Sequence, residues 1–258
     1  MTRRYVDLSV PLEAGIVSDP DIMLPKIEYL NHDDTAEQVC SLFPGMTKEQ
    51  LPGGEGWAVE QLQIATHNGT HLDAPYHYHS TMNNGERAIT IDEVPLEWCF
   101  NPGVKLDFRK FEDGYIVTAE DVEKELERIG HQLKPLDIVM VNTSAGDRYG
   151  KSDFLLKGCG MGREATLYLT ERGVRVTGTD AWSWDAPFPL TAKKFAEEKD
   201  PSIIWEGHRA GMDIGYCHIE KLTNLENLPA NGFEVSCFPF KIKNASAGFT
   251  RAVAIFEE

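Results

Sequence analysis

The sequence predicts a single α/β domain, and three observations carry that prediction. Residues 103–180 alternate strand-like and helix-like stretches in a β-α-β-α-β run. The segments on either side read as strands and loops, with no repeat, low-complexity tract or linker to divide the chain. The 258 residues, 41% hydrophobic and 26% charged, are enough for one large core.

Taken in order, Val17 to Gly56 is rich in proline, glycine and acids and predicts surface loop with short helices. Trp57-Ala-Val-Glu-Gln-Leu-Gln-Ile64 predicts a strand leading straight into a histidine-rich stretch. Gly103-Val-Lys-Leu-Asp-Phe108 opens the central run as a strand. Thr118 caps a helix whose first turn is acidic, and Val122, Leu126, Ile129 and Leu133 recur at helical spacing until Pro135. Asp137-Ile-Val-Met-Val-Asn-Thr143 reads as a buried strand. A second helix spans Arg163 to Arg172 and ends at Gly173, and Val174 to Asp180 forms the next strand. Phe233 to Phe240 and Arg251 to Phe256 read as closing strands.

Composition excludes several classes of partner. The formal charge of −16 would repel nucleic acid and anionic membrane. No run of about 18 apolar residues is present to span a bilayer. The two arginines near the start have no apolar stretch behind them, so no signal peptide is expected and a cytoplasmic location is. Cys40, Cys99, Cys159, Cys217 and Cys237 are odd in number and scattered without a C-x-x-C pair. They predict reduced, buried thiols rather than disulfides or a thiolate metal site.

Thr66-His-Asn-Gly-Thr-His-Leu-Asp-Ala-Pro-Tyr-His-Tyr-His79 holds four of the chain's 8 histidines. A helical H-x-x-x-H zinc site does not fit, because Asn68 stands where a catalytic glutamate belongs and Gly69, Thr70 and Pro75 are poor helix formers. In an extended chain, alternate side chains share a face. His67, Gly69, His71 and Asp73 would then point one way, with Gly69 leaving room for an ion between the rings. Two imidazoles and a carboxylate leave coordination positions open, which is the pattern of catalytic metal sites. The other reading is a solvated loop with incidental histidines; ligand type, parity and the glycine together favour the metal. Pro75 should break the row, leaving His77 and His79 nearby but outside it. His79, His32 and His131 read as surface residues.

His67-Asn-Gly-Thr-His71-Leu-Asp73-Ala-Pro-Tyr-His77 resembles the H-x-G-T-H-x-D-x-P-x-H motif of the metal-dependent cyclase/hydrolase family, which includes bacterial kynurenine formamidases and isatin hydrolases. Asp7-Leu-Ser-Val-Pro-Leu12, Ile219-Glu-Lys-Leu-Thr-Asn-Leu225, Phe240-Lys-Ile-Lys243 and Arg251-Ala-Val-Ala254 resemble its opening and closing segments, so the likeness spans nearly the whole chain. It implies one domain over residues 1–258, of swivelling β/β/α type, in which a mixed sheet or small barrel-like core packs with helices. It further implies His67, His71 and Asp73 as ligands of a first metal, with Asp73 bridging to a second held by His208 and Glu220. His77 is implied as the general acid/base. Zinc and manganese suit imidazole and carboxylate donors about equally. A homodimer or homotetramer is expected on the same ground.

The resemblance implies a hydrolase of small molecules that cleaves a C–N bond in a formamide or cyclic amide with a metal-activated water. The alternatives are a ring-closing cyclase or dehydratase, a lactone hydrolase, or a non-catalytic binder; His77 argues against the last, since a binder needs no free acid/base. Formamidases carry a tryptophan before a P-G-D near the start, whereas here the stretch is Val17-Ser-Asp-Pro-Asp21. Trp182 and Trp184 are candidates for supplying aromatic walls instead, if they are not core residues.

Overall fold

The structure, a computed structural model, describes residues 2–257. Its strands are β1 (Arg3–Asp7), β2 (Lys26–Leu30), β3 (Val59–Gln63), β4 (His71–Asp73), β5 (Thr81–Met82), β6 (Glu86–Arg87), β7 (Phe100–Asp107), β8 (Ile116–Val117), β9 (Ile138–Asn142), β10 (Gly160–Met161), β11 (Val176–Thr179), β12 (Cys217–Glu220), β13 (Phe233–Ser236), β14 (Ala247–Phe249) and β15 (Val253–Glu257). The α-helices are α1 (His32–Ser41), α2 (Pro75–Tyr78), α3 (Ala119–Ile129), α4 (Arg163–Glu171), α5 (Phe188–Glu198) and α6 (Glu206–Arg209).

Nine strands form one mixed sheet in the order β1-β15-β13-β7-β9-β11-β12-β4-β14. β7, β9, β11 and β12 run parallel, as the expected β-α-β-α-β run requires, and antiparallel pairs extend both edges. Alternation along β9 splits the core in two. Val139 and Val141 face α3 and α4 through Val122, Leu126, Ala165 and Leu169. Ile138 and Met140 face the other way, into a cluster that also takes Leu72 from β4 and Ala254 and Phe256 from β15. Residues from strands near opposite ends of the order meet in that cluster, so the sheet curls into a half-barrel. This is the single α/β domain that the sequence predicts, with the barrel-like mixed sheet that the resemblance implies.

Local signals account for most element boundaries. The Thr118 hydroxyl accepts a hydrogen bond from Asp121 N at 3.2 Å, closing a capping box at the start of α3. That helix ends earlier than expected. Gly130 adopts the left-handed conformation at φ 64° and caps Ile129, leaving Leu133 to pack on the core from outside the helix. The stretch 17–56 holds the expected short helices, α1 among them, and in addition the strand β2. β2 pairs antiparallel with β3 as a separate two-stranded sheet, so β3 exists but lies outside the main sheet. Cys99, Cys159, Cys217 and Cys237 are buried free thiols, and Cys40 is half-buried. Among the described residues, no helix is long and apolar enough to cross a membrane.

Candidate metal centre

The antiparallel pairing of β4 and β12 sets the centre. Its register places His218 opposite Asp73 and Glu220 opposite His71, two cross-strand pairs whose side chains converge. All four are buried, with relative exposures of 0%, 0%, 7% and 0% in that order. His71 Nε2 lies 3.3 Å from Asp73 Oδ1 and 3.5 Å from Glu220 Oε2. His218 Nε2 lies 3.2 Å from both Asp73 Oδ2 and Glu220 Oε1.

His67 reaches the same point by another route. Residues 66–70 form a turn rather than a continuation of the strand, so the extended row predicted from His67 to Asp73 holds only from His71 onward. Gly69 sits at φ +59°, and a Cβ there would meet Leu12 rather than an ion. The glycine is required by the turn, not by space between rings. The turn nevertheless brings His67 Nδ1 to 2.9 Å from Asp73 Oδ1. After Pro75, the single turn of α2 lifts His77 back over the centre, with Nε2 3.7 Å from Asp73 Oδ2. His67 and His77 keep 17% and 21% of their side-chain surface open, and their rings lie 4.1 Å apart. His79 points to solvent and bonds Thr81 Oγ1 at 2.9 Å. His32 is exposed as expected, whereas His131 is tucked in against Asp137 at 2.8 Å.

His208 enters from α6, next to Gly207, where a Cβ would collide with Met161 O at 2.4 Å. That close approach seats the buried His208 with Nε2 3.7 Å from Glu220 Oε1. Its Nδ1 is held by Asp185, which also accepts from the backbone N of Gly207 and His208. A carboxylate behind Nδ1 fixes the proton there and leaves Nε2 as a bare donor atom, the arrangement of metal-bound histidines. His71 is fixed similarly, with Nδ1 2.9 Å from the Gly69 carbonyl oxygen, which can only accept.

Charge follows this geometry. Although burial opposes ionisation of Asp73, the His77, His71 and His67 rings hold its carboxyl well below the usual range. Burial likewise opposes Glu220, but the bond from His218 brings it down to about 2. Burial pushes the His77 imidazole down to about 4 against the pull of Asp73, leaving it neutral at pH 7.

The donor set fits a divalent cation. His71 Nε2 is buried without a hydrogen-bond partner, and the two buried Asp73 oxygens face imidazole nitrogens at 2.9 and 3.2 Å without hydrogen-bond geometry, a costly state for groups that bind metals well. Asp73, His208, His218 and Glu220 each bring one ligand atom within 4.8 Å of the others, and so do His67, Asp73 and His77. The predicted residues His67, His71, Asp73, His77, His208 and Glu220 are thus gathered in one place. His218 is the addition. Its sequence signal is the i, i+2 spacing to Glu220 in Cys217-His-Ile-Glu220, which puts both on one face of a strand.

Beside this cluster lies a cavity of about 250 Å³ bordered by His67, His77, Trp182, Phe188, Trp205 and Lys221. Trp182 forms wall, with its Nε1 donating to Asp19 Oδ1 at 3.1 Å. Trp184 is core instead: it is 1% exposed, donates Nε1–H to Thr166 Oγ1, and its backbone N–H holds Glu220 Oε1 at 3.1 Å. Asp19, in the stretch that lacks a tryptophan, is buried and also bonds Ser18, Asn68 and Lys221.

Residues 6–186 match the family described as "Putative cyclase". The kynurenine formamidase of Salinibacter ruber is 29% identical over 198 residues, covering 74% of this chain and 77% of that protein. The kynurenine formamidase of Bacillus anthracis is 23% identical over 253 residues, covering 98% and 97%. Isatin hydrolase A from Labrenzia aggregata, solved bound to benzyl benzoate, shares the fold with a TM-score of 0.74 at 24% identity, over 99% of this chain and 94% of that one. The match covers most of the length and includes the histidine-rich turn, β4 and α2, and on that ground the chain belongs to the Cyclase family.

Proposed function

We propose that this protein is a metal-dependent hydrolase of small molecules that cleaves the C–N bond of a formamide or cyclic amide. The observation that carries the proposal is the buried cluster of His71, Asp73 and Glu220, behind the point where His67, His77 and Glu220 line an aromatic-walled cavity. In this reading His67, His71 and Asp73 hold one ion, and Asp73, His208 and Glu220 hold a second, zinc or manganese. A bound divalent ion supplies Lewis acidity, which lowers the pKa of water and polarises a carbonyl.

The chain's own groups do the rest. Asp185 and the Gly69 carbonyl orient His208 and His71, so that neither ring spends reorganisation energy when the site is used. His77 is neutral at pH 7 and borders the cavity, so its Nε2 is free to accept a proton and return it to the leaving nitrogen. Trp182, Phe188 and Trp205 suit a flat ring and keep bulk water from the reacting carbonyl. The names of the relatives, kynurenine formamidase and isatin hydrolase, support an N-formyl aromatic amine or a fused five-membered lactam as substrate.

The test is a panel of N-formyl aromatic amines, cyclic amides and lactones, each assayed before and after chelation. Chelator-sensitive turnover of an amide, restored by zinc or manganese, is expected. Turnover confined to lactones or to ring closure would replace the C–N assignment.

A further inference from the structure

We infer that His218 is itself a metal ligand, and that the two metal positions are therefore unequal: one closed and slow to exchange, the other open. The inference rests on the metal centre of the proposed function and assigns it a residue that neither the histidine motif nor the resemblance supplies.

The geometry of His218 is that of a ligand. It is fully buried, and its Nε2 stands 3.2 Å from one oxygen of each carboxylate. Its ring is fixed between two parallel neighbours, Tyr78 at 5.0 Å and 11° and Trp184 at 5.9 Å and 17°, so the aim of Nε2 is set by packing. The strand pairing enforces the same aim, because His218 lies directly opposite Asp73 in the ladder. Unlike His71 and His208, His218 has no hydrogen-bond partner behind Nδ1, so stacking and strand register alone fix its ring.

With His218 included, Asp73, His208, His218 and Glu220 give four buried protein ligands. Four protein donors complete a tetrahedral shell, the pattern of a closed, retained ion. His67, His71 and Asp73 give the other position only three donors, and His67 keeps 17% of its side-chain surface open, so that position exchanges readily and keeps room for water or substrate. The opposite role for His218 is a protonated ring that stands in for a cation between Asp73 and Glu220. The two roles make opposite predictions for metal uptake.

Metal-free full-length protein is titrated with zinc against a chromophoric chelator, for the wild type and for His218→Gln and His218→Leu. The wild type should take up about two ions in two separate steps. Both substitutions should weaken the tighter step by more than about 100-fold, beyond the range seen when only a neighbour of a ligand is lost, and leave the weaker step in place. Unchanged affinity in both variants, or a gain of an ion on removing His218, overturns the inference while leaving the metal-dependent reading intact. A wild type that binds no zinc overturns the metal centre itself. Should neither variant fold, crystals of the wild type soaked in zinc decide the matter through the anomalous map. An ion about 2.0–2.1 Å from His218 Nε2 is expected, and no ion within about 3 Å of it refutes the assignment.

Discussion

Replacing Asp19 with alanine should cost this protein a large part of its stability and loosen the cavity at the same time. Asp19 and Lys221 are 2% and 1% exposed and face one another. Lys221 Nζ also donates to the His67 carbonyl at 2.7 Å, and Trp182 Nε1 donates to Asp19 at 3.1 Å. Removing the carboxylate strands a buried ammonium, which costs about 3–5 kcal/mol. It also strands the indole N–H, at about 1–3 kcal/mol if no water replaces the carboxylate. Against a total of roughly 5–15 kcal/mol for a folded domain, that loss is severe. Urea unfolding at fixed zinc concentration should be run on Asp19→Ala, Lys221→Met and the double variant. The double variant removes both charges together, so its loss should fall short of the sum of the singles by about 2 kcal/mol or more. KM for the substrate should rise in Asp19→Ala, because the Trp182 wall and the His67 turn lose their common tether. Additive losses would refute the pairing argument.

Three further outcomes follow from the same geometry. His77→Ala should retain its metal but lose turnover by about 10²–10⁴-fold; loss of an ion instead would make His77 a ligand, a role its grouping with His67 and Asp73 permits. Glu220→Gln should bring metal content from about two ions per chain to about one by elemental analysis, and an unchanged content would remove Glu220 from the centre. Burial pushes the Asp180 carboxyl up from 3.8 to about 7 despite the bonds it accepts from Thr143 and Asn142. Between those values the folded state binds more protons than the unfolded state, so the Asp180 contribution falls as pH rises and is lowest above about 7. Relative to Asp180→Asn, wild-type stability should therefore drop by up to about 4 kcal/mol from pH 4 to pH 8, and a difference that grows with pH would reverse the argument.

The parallel centre of the sheet was legible because local signals and tertiary structure agree there. β9 is apolar from Ile138 to Val141 and buried on both faces, and α3 carries its own cap. The end of α3 was misjudged because Leu133 keeps the apolar spacing after Gly130 has already turned the chain. At the site, ligand types and spacing made His67, His71 and Asp73 readable, although the turn at Gly69 brings His67 in rather than strand alternation. His208 and Glu220 were reached only through resemblance: nothing local marks His208, and the i, i+2 spacing of His218 and Glu220 says nothing of what they face. His218 escaped because its partner Asp73 is far away in the chain, and only the β4–β12 register brings the two together. Asp19 escaped for the same reason: its partners Asn68, Trp182 and Lys221 come from three separate segments.

The most direct measurement is elemental analysis of protein purified without chelator, paired with amide turnover on the same sample. The account predicts about two zinc or manganese ions per chain, and hydrolysis of a formamide or cyclic amide that disappears on chelation and returns when metal is restored. Protein that carries no divalent ion, or whose amide hydrolysis is indifferent to chelator, would contradict it.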